Sequence, residues 1–289
     1  MDIREHEPLG PKTTMRIGGT ARYFAELHSR QDVDEAITFA SSKKIPLIVL
    51  GTGSNTVFAD GKVHALVVRI KANAVSIEES TVHIEAGKNL AELTRELAAH
   101  NLDLSALAGI PGTVGGALFG NAGQGPKGTW IDAFIEEVTV WMDGGWKTLR
   151  KQECLYRYRE SAFKDHAPPV LLWSAVLRIP ARPKKEILEE IERCLRKRFE
   201  SQVQAHTAGS CFKALADGTP AWNIIAAAGL KGARVGGVEI SPKHANFLVN
   251  TGSGTFADLC ALVKTAKKKA PALEGIEMRL YGNDGKLIS

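Results

Sequence analysis

The sequence has few cysteines and no long uninterrupted hydrophobic segment. Its four cysteines, Cys154, Cys194, Cys211 and Cys260, are far apart and form no CxxC pair, which argues against a zinc site and a disulfide framework. No run approaches the roughly 18–20 apolar residues that cross a bilayer, and the charged start MDIREHEPLG lacks the apolar stretch of a secretory signal. We therefore expect reduced thiols, no metal site, no membrane partner and a cytoplasmic location.

The composition also lacks the marks of collagen-like, disordered and disulfide-rich chains. Hydrophobic residues make up 44% of the sequence and charged residues 24%, the ordinary balance of a soluble globular protein. At roughly 100–200 residues per domain, a chain of 289 residues is expected to form about two domains. Internal repeats and low-complexity segments are absent, so the expected class is an enzyme-sized globular protein.

Positive charge is in modest excess, since 37 Lys and Arg against 32 Asp and Glu give a net charge of +5. Such an excess is compatible with nucleic acid, a membrane surface or small anionic ligands. The basic clusters at 193–198 and 264–269 lie in helix-like segments without interleaved aromatic residues. A solvated helix face is the simpler interpretation, and no nucleic-acid partner is predicted.

Hydrophobic periodicity predicts a mixture of helices and strands, which is typical of an α+β protein. Apolar residues spaced three and four apart predict helices at 31–42, 90–99, 183–201, 222–228 and 255–270. Short apolar or alternating runs predict strands at 45–50, 65–70, 81–86, 135–141, 146–149, 170–179 and 246–250. The composition changes after the long helix at 183–201, so we expect a domain boundary near residue 200.

Two glycine-rich loops are candidates for binding a phosphate group. One is Gly51-Thr52-Gly53-Ser54-Asn55, directly after a predicted strand, and the other runs from Gly109 to Gly116. Glycine lets backbone N–H groups approach an anion, and short hydroxyl or amide side chains add further donors. Neither loop has the GxGxxG or Walker spacing. From spacing alone, a phosphate cradle and a plain turn therefore both remain open.

A series of motifs extends along nearly the whole chain. The motifs are TTMRIGG at 13–19, LGTGSN at 50–55, AGIPGTVGGAL at 108–118, NAG at 121–123, YRYRESAFK at 156–164, GSCFK at 209–213, AGLKG at 228–232 and SPKHANFLVN at 241–250. In this order, the series resembles the UDP-N-acetylenolpyruvoylglucosamine reductase family, flavoenzymes of the cytoplasmic stage of bacterial peptidoglycan synthesis. The short segment 164–209 is similar to the compact family type that lacks a tyrosine-bearing insertion.

The resemblance implies a fold, a domain division and a reaction. The implied fold is α+β, with a two-part FAD-binding domain of the vanillyl-alcohol-oxidase (PCMH) type followed by a smaller α+β substrate-binding domain. The implied boundaries are 1–62 for the first FAD-binding subdomain, to which 279–289 returns, 63–199 for the second, and 200–278 for the substrate-binding domain. In the implied reaction, hydride passes from NADPH through FAD to the enolpyruvyl ether of a UDP-sugar, giving UDP-N-acetylmuramate. The protein is expected to be a monomer.

Three catalytic residues follow from the resemblance. Arg159 in YRYRES would bind the substrate carboxylate through two hydrogen bonds, because a guanidinium is permanently charged and forked. Ser210 in GSCFK would give the proton that follows hydride addition, and Glu277 would help to stabilise the intermediate. If residues 277–279 form a strand, Glu277 and Arg279 share one face of it.

The resemblance also implies two groups of binding residues. The cofactor group is Gly51, Thr52, Gly53, Ser54, Asn55, Gly112, Thr113, Gly115, Gly116, Gly123 and Arg279. The substrate group is Tyr158, Arg198, Lys213, His244 and Asn246. The chain departs from the family pattern at Ala214-Leu215, where the family usually has Asn-Pro and uses the asparagine to bind substrate.

Two other functions remain open at this point. An FAD oxidase of the same fold would pass electrons to oxygen, although Arg159, Ser210 and Glu277 suit protonation of a reduced olefin better. A non-catalytic nucleotide-binding or regulatory module is compatible with the Ala214-Leu215 departure. Flavin absorbance, and NADPH oxidation that depends on the sugar, would distinguish these alternatives.

Overall fold

The computed structural model describes residues 1–125, 128–167, 169–273 and 275–288. Its strands are β1 (Ile3–Pro8), β2 (Thr20–Leu27), β3 (Leu47–Val49), β4 (Thr56–Phe58), β5 (Lys62–Ile70), β6 (Val75–Glu78), β7 (Thr81–Glu85), β8 (Ile135–Met142), β9 (Gly145–Arg150), β10 (Leu171–Arg178), β11 (His206–Ser210), β12 (Arg234–Val235), β13 (Val238–Ile240), β14 (Phe247–Asn250) and β15 (Arg279–Tyr281). Its α-helices are α1 (Arg30–Ser42), α2 (Leu90–Ala99), α3 (Val114–Gly120), α4 (Ala162–Asp165), α5 (Lys184–Ser201), α6 (Ala221–Ala227) and α7 (Phe256–Lys269).

The five helices predicted from periodicity are confirmed as α1, α2, α5, α6 and α7. Helix α2 shows why the prediction succeeds. Asn89 caps it, because its Oδ1 accepts the backbone N–H groups of Ala91 and Glu92 at 2.9 and 3.1 Å. Leu93 and Leu97, which share one face of the helix, are fully buried.

The described chain divides into two compact units. Unit 1 comprises residues 1–2, 25–51 and 68–198, and unit 2 comprises residues 3–24, 52–67 and 199–289, of which Ser289 lies outside the described residues. Compact units need not coincide with ligand-binding domains, so the division at 1–62, 63–199, 200–278 and 279–289 stays a prediction.

Unit 1 contains a five-stranded antiparallel sheet in the order β6-β7-β10-β8-β9. Helices α2 and α3 contribute buried side chains to the same hydrophobic core as the inner faces of β8 and β10, including Leu93, Val114, Val138 and Leu177. A smaller cluster packs α5 through Ile187 and Ile191 against Ala98 and Ala108. The sheet and its helices therefore form a base for the loops at 109–116 and 157–160.

Unit 2 contains a four-stranded antiparallel sheet in the order β11-β14-β13-β12 and a parallel pair, β15 with β4. Helices α6 and α7 share a core with these strands. The N-terminus of α7 is closed by a capping box between Thr255 and Asp258. Asp60 adds two further bonds to it, because Oδ1 and Oδ2 accept the Phe256 N–H at 2.8 and 2.9 Å. Among the described residues, no helix is long and apolar enough to cross a membrane.

Candidate active site

The first glycine loop is packed closely against the residues of the TTMRIGG motif in unit 2. Gly53 has a φ of +73°, and a Cβ added to it would lie 2.4 Å from the Lys12 carbonyl oxygen and 2.6 Å from the Thr13 Cα. The Gly53 carbonyl accepts the Thr14 N–H at 3.1 Å. Any side chain at position 53 would therefore face both backbone strain and a clash.

The end of this loop is bound to the segment that carries Glu277 and Arg279. Asn55 Nδ2 donates to the Glu277 carbonyl at 3.0 Å, and the Arg279 N–H donates to the Asn55 carbonyl at 2.9 Å. Strand β15 begins only at Arg279, so the expectation that Glu277 and Arg279 share one strand face is wrong. The Glu277 N–H bonds to the Cys211 carbonyl at 2.8 Å, whereas the pairing of β15 with β4 begins at Arg279.

The Arg279 guanidinium lies against an aromatic pair. Its Nε and Nη2 donate to the Tyr281 hydroxyl at 3.2 and 2.9 Å. The Tyr281 ring in turn stacks on Phe58, with ring centroids 5.5 Å apart and an interplanar angle of 22°. These contacts hold a half-buried cation beside the end of the glycine loop.

The second glycine loop leads into helix α3 in unit 1. Thr113 caps the helix, because its Oγ1 accepts the Gly116 N–H at 3.2 Å. Gly115 lies against Ala86, so that a Cβ there would be 2.9 Å from the Ala86 Cβ, while Gly112 has a φ of +141°. The glycines at 112 and 115 thus allow the helix to start close to the sheet.

Gly51 and Thr113 bring the two predicted loops together. A Cβ added to Gly51 would lie 3.1 Å from Thr113 Oγ1 and 4.0 Å from its Cγ2. Gly116, at the start of the same helix, is exposed and has only Thr113 Oγ1 near its Cβ position, at 3.6 Å. The backbone around Thr113 is therefore open to a ligand on one side.

Arg159 lies at the tip of a tight turn in unit 1. Arg157 and Glu160 exchange backbone hydrogen bonds of 3.0 and 3.1 Å, which leaves Tyr158 and Arg159 between them. Arg159 has a φ of +57°, a left-handed conformation that is unfavourable for arginine. Strain of this kind persists where the surroundings fix it, and it is concentrated at functional sites.

Asn121 and Gly123 of the NAG motif hold this turn. The Asn121 side chain is fully buried, and its Nδ2 donates to the Arg157 carbonyl at 3.0 Å. The Gly123 carbonyl accepts from Arg159 Nη2 at 2.9 Å, and a Cβ at Gly123 would lie 1.8 Å from Trp130 Cδ1. These contacts account for Gly123 by packing and by its bond to Arg159, and its cofactor contact stays a prediction.

Arg198 and Tyr158 are the other predicted substrate-binding residues of unit 1. Burial lowers the pKa of the Arg198 guanidinium, and the positive charge of Arg159 lowers that pKa further. A Cβ at Gly109 would lie 2.7 Å from Arg198 Cδ, so glycine makes room for this side chain. The Tyr158 ring is tilted against Trp130 at 5.8 Å. Two positively charged guanidinium groups this close repel each other, and an anion bound between or beside them would reduce that repulsion.

Ser210 is the last residue of β11, where it pairs with Phe247 of β14 after a register shift. Gly209 occupies that irregularity with a φ of +78°. The residues after Ser210 pair with the C-terminal segment, because the Lys213 N–H donates to the Gly275 carbonyl at 3.0 Å and the Glu277 N–H donates to the Cys211 carbonyl at 2.8 Å. The structure thus places the predicted residues Ser210, Lys213 and Glu277 on two adjacent segments.

His244 and Asn246 lie in a turn directly before β14. His244 Nδ1 accepts the Asn246 N–H at 3.3 Å, so this nitrogen carries no proton. Burial lowers the pKa of His244, and the nearby Lys231 cation lowers it as well. The Asn246 side-chain amide bonds to the Phe212 backbone, with Oδ1 accepting at 2.9 Å and Nδ2 donating at 2.8 Å. These bonds give Asn246 a structural role, and its predicted substrate contact stays a prediction.

Two residues of this site were not identified from the sequence. Asn121 holds the Arg159 turn, and Thr14 donates through Oγ1 to the Thr207 carbonyl at 2.7 Å. Asn121 lies in the NAG motif, where a polar residue next to two small ones is a signal that could have identified it. Thr14 lies in TTMRIGG beside other polar residues, and nothing in that motif distinguishes it.

Comparisons with known proteins cover almost all of the chain. Residues 21–148 match the model of an FAD binding domain, and residues 201–280 match that of the UDP-N-acetylenolpyruvoylglucosamine reductase C-terminal domain. The reductase of Thermotoga sp. (strain RQ2) is 35% identical over 280 residues, which is 96% of this chain and 91% of that protein. That of Streptococcus pneumoniae (strain 70585) is 35% identical over 290 residues, which is 98% of this chain and 95% of that protein. The chain belongs to the UDP-N-acetylenolpyruvoylglucosamine reductase family.

A solved structure of the reductase family agrees with this assignment. The crystal structure of the Thermus caldophilus reductase superposes with a TM-score of 0.82 at 32% identity, covering 96% of this chain and 98% of that one. Family membership confirms the resemblance drawn from the motifs. It also confirms the α+β class, with an FAD-binding domain followed by the C-terminal domain of the reductase family.

The glycine loops fit the FAD that the reductase family implies. In unit 1, glycine at position 51 leaves space next to Thr113 Oγ1, and Gly116 at the start of α3 is exposed. In unit 2, Thr52 Oγ1 is buried and has no hydrogen-bond partner within the described part of the chain. A buried hydroxyl without a partner is costly unless a ligand supplies one. A pyrophosphate, with its many acceptor oxygens, would satisfy such donors.

Proposed function

We propose that this protein is an NADPH-dependent, FAD-containing reductase that converts UDP-N-acetylglucosamine enolpyruvate to UDP-N-acetylmuramate in peptidoglycan precursor synthesis. Membership of the reductase family and the fit of the glycine loops to FAD support the activity. The protein acts on small molecules as a monomer in the cytoplasm, without nucleic-acid or membrane partners. A reaction between NADPH and a UDP-sugar needs no such partner.

The observation that carries the proposal is the pairing of residues 211–213 with 275–277. The bonds from Lys213 to Gly275 and from Glu277 to Cys211 place a hydroxyl, an ammonium and a carboxylate on neighbouring backbone segments. Such a set suits a step in which a proton is given to a carbanion-like centre and the resulting charges are balanced.

FAD, held by the two glycine loops, would supply the chemistry of hydride transfer between NADPH and the vinyl carbon of the substrate. The chain's own residues provide what that addition requires. Arg159 binds the carboxylate through its fork and stabilises the negative charge that develops on the neighbouring carbon. Ser210 Oγ gives its proton to that carbon, and Glu277 and Lys213 stabilise the charges around the step. One hydride and one proton are then added across the double bond.

The binding residues of this proposal are those that the family resemblance implies. The cofactor group is Gly51, Thr52, Gly53, Ser54, Asn55, Gly112, Thr113, Gly115, Gly116, Gly123 and Arg279, which would offer backbone, hydroxyl and guanidinium donors. The substrate group is Tyr158, Arg198, Lys213, His244 and Asn246.

Ser210→Ala tests this assignment. We expect steady-state turnover to fall by about 10²–10⁴-fold, the usual contribution of a positioned proton donor. Reduction of the flavin by NADPH should change by less than about threefold, because that step needs no proton from Ser210. Stopped-flow flavin absorbance measures the second quantity, and NADPH oxidation with the enolpyruvyl UDP-sugar measures the first.

Ser42→Ala, which removes an exposed hydroxyl at the end of α1, is the matched control and should leave both rates unchanged. Equal loss of both rates in Ser210→Ala would show that Ser210 is not the proton donor. A wild-type protein that cannot be loaded with FAD would overturn the proposed function itself. NADPH oxidation that requires oxygen and ignores the sugar would favour an oxidase.

A further inference from the structure

The backbone ladder between β11 and β14 stops inside the GSCFK motif, after Cys211. Ser210 pairs with Phe247, and the Cys211 N–H still bonds to the Asn246 carbonyl at 2.8 Å. Strand β14 starts only at Phe247, so on this edge β14 offers no residue to pair with the peptide groups of Phe212. Phe212 is buried, and buried peptide groups require partners.

The side chain of Asn246 supplies these partners. Its Oδ1 accepts the Phe212 N–H at 2.9 Å, and its Nδ2 donates to the Phe212 carbonyl at 2.8 Å. A carboxamide presents one acceptor and one donor in a single plane, as a peptide group of a neighbouring strand does. The Asn246 side chain therefore takes the place of the next strand residue in pairing with Phe212, and both of its hydrogen bonds are buried.

The opposite edge of the same segment is also bonded. The Glu277 N–H reaches the Cys211 carbonyl and the Lys213 N–H reaches the Gly275 carbonyl, at 2.8 and 3.0 Å. Residues 211–213 are thus hydrogen-bonded on both edges, and Ser210 directly precedes them in the chain. A rotation of the Phe212 peptide would move Ser210 and Lys213 together.

We propose that Asn246 is a positioning residue for Ser210, an inference that rests on the proposed function in which Ser210 gives the proton. Proton transfer to carbon depends on sub-ångström placement of the donor, and a displacement of about 1 Å can cost roughly 100-fold in rate. Asn246 sets that placement without touching the substrate. Its oxygen and one N–H are committed to Phe212, and its side chain is buried.

Asn246→Asp is the informative variant because it changes one donor and preserves the shape. The ionised carboxylate still accepts the Phe212 N–H but repels the Phe212 carbonyl. At pH 8 we expect the reaction of the reduced enzyme with the enolpyruvyl UDP-sugar to slow by about 10–100-fold. Reduction of the enzyme by NADPH should stay within about threefold of wild type. Both rates are measured by stopped-flow flavin absorbance on the FAD-loaded protein.

The same variant offers a rescue by pH. When the introduced carboxyl is protonated, it again has one donor and one acceptor and can restore both bonds to Phe212. The slowed step should therefore recover towards the wild-type rate as the pH falls from 8 to about 5.5. The titratable groups around this segment include Lys213, Glu277, His244 and Lys267. The wild-type profile over this pH range is therefore the baseline.

Asn250→Ala is the matched control. Asn250 is also a buried asparagine of the β14 segment, but its side chain bonds to the Met15 carbonyl at 3.0 Å and to the Gly252 and Gly254 N–H groups, both at 2.9 Å. Its loss should lower the Tm by several degrees and leave the ratio of the two flavin reactions at the wild-type value. A purely structural role of Asn246 would give the same pattern.

Equal slowing of both flavin reactions in Asn246→Asp, or no slowing of either, overturns the proposal. If that variant does not bind FAD, Asn246→Ser, which retains a small hydroxyl, is judged by the same ratio. Failure of the proposed function is a different result, since wild-type protein would then not oxidise NADPH in response to the sugar. With wild type active, an unchanged ratio in the variant counts against the positioning role alone.

Discussion

At the scale of single residues, His244 connects protonation to the structure of its turn. Its Nδ1 accepts the Asn246 N–H, a bond that only the neutral ring can make. Burial and Lys231 lower the pKa of His244 below its ordinary value of 6.5. An unfolded chain takes up a proton at that ordinary value, whereas the folded chain takes it up only at lower pH.

The neutral ring therefore contributes stability that is complete above pH 6.5 and is lost as the pH falls through the lowered pKa. We expect the Tm of His244→Gln, whose carbonyl can still accept the Asn246 N–H, to fall less than the wild-type Tm between pH 7 and about pH 5. Thermal melts at several pH values measure this difference. His28→Gln, a change at an exposed histidine, should follow the wild-type curve, and a His244→Gln curve parallel to wild type would contradict the prediction.

Residue roles could be predicted from the sequence only where a motif carried them. Ser210 and Arg159 stand in GSCFK and YRYRES, and the structure holds each of them in a defined turn or strand end. The substrate contact of Asn246 stays a prediction, whereas its bond to Phe212, 34 residues away in sequence, was not predicted. A bond between such distant residues depends on tertiary contacts that no local pattern records.

At the scale of elements, helix α7 illustrates a cap supplied from outside the helix. Asp60 reaches the Phe256 N–H with both carboxylate oxygens and the Ala257 N–H at 3.4 Å, in addition to the Thr255–Asp258 capping box. A carboxylate at a helix N-terminus satisfies unpaired N–H groups and interacts favourably with the helix dipole.

Asp60→Ala should cost about 1–2 kcal/mol of folding free energy. In a protein of this size, that loss corresponds to a fall in Tm of roughly 2–8 °C. Glu5→Gln, which removes a negative charge from an exposed position on β1, controls for the change in net charge and should have little effect. Equal Tm values for the two variants would show that Asp60 does not cap α7.

Helices were easier to predict than strands for a physical reason. Helix α2 repeats Leu90, Leu93 and Leu97 on one face, so the pattern is local and strong. Strand β11 reads HTAGS, with no apolar alternation, and exists because β14 pairs with it. Strand β15 has three residues and is fixed by pairing with β4. Such strands are made by partners that are distant in sequence.

At the scale of the whole molecule, the chain order and the spatial grouping differ. Unit 2 gathers residues 3–24, 52–67 and 199–289. The first glycine loop contacts both of the other segments, because Gly53 packs against Lys12 and Thr13 and Asn55 Nδ2 donates to the Glu277 carbonyl. The sequence predicted a boundary near residue 200 from composition, but composition cannot predict that the N-terminal residues belong to the same unit.

Gly53→Ala should therefore affect both folding and cofactor binding. We expect the FAD-free variant to have a lower Tm than FAD-free wild type. FAD raises the Tm because a ligand stabilises only the folded state that binds it. The variant should need at least ten times more FAD than wild type to reach half of the Tm increase that FAD gives to wild type. Thermal melts across an FAD titration measure both effects. Gly144→Ala introduces a side chain at a φ of +81° with no heavy atom within 4 Å, and so controls for backbone strain without a clash. An FAD titration of Gly53→Ala that matches the control would contradict this prediction.

The left-handed backbone at Arg159 sets two selection pressures against each other. Glycine or asparagine would occupy that turn with less strain, so a laboratory evolution experiment that rewards thermal tolerance alone should draw one of them into position 159. An experiment that rewards growth dependent on the enzyme should retain arginine at the same position. The residue recovered at position 159 under each regime would therefore show whether this protein keeps a less stable backbone conformation because its activity requires arginine.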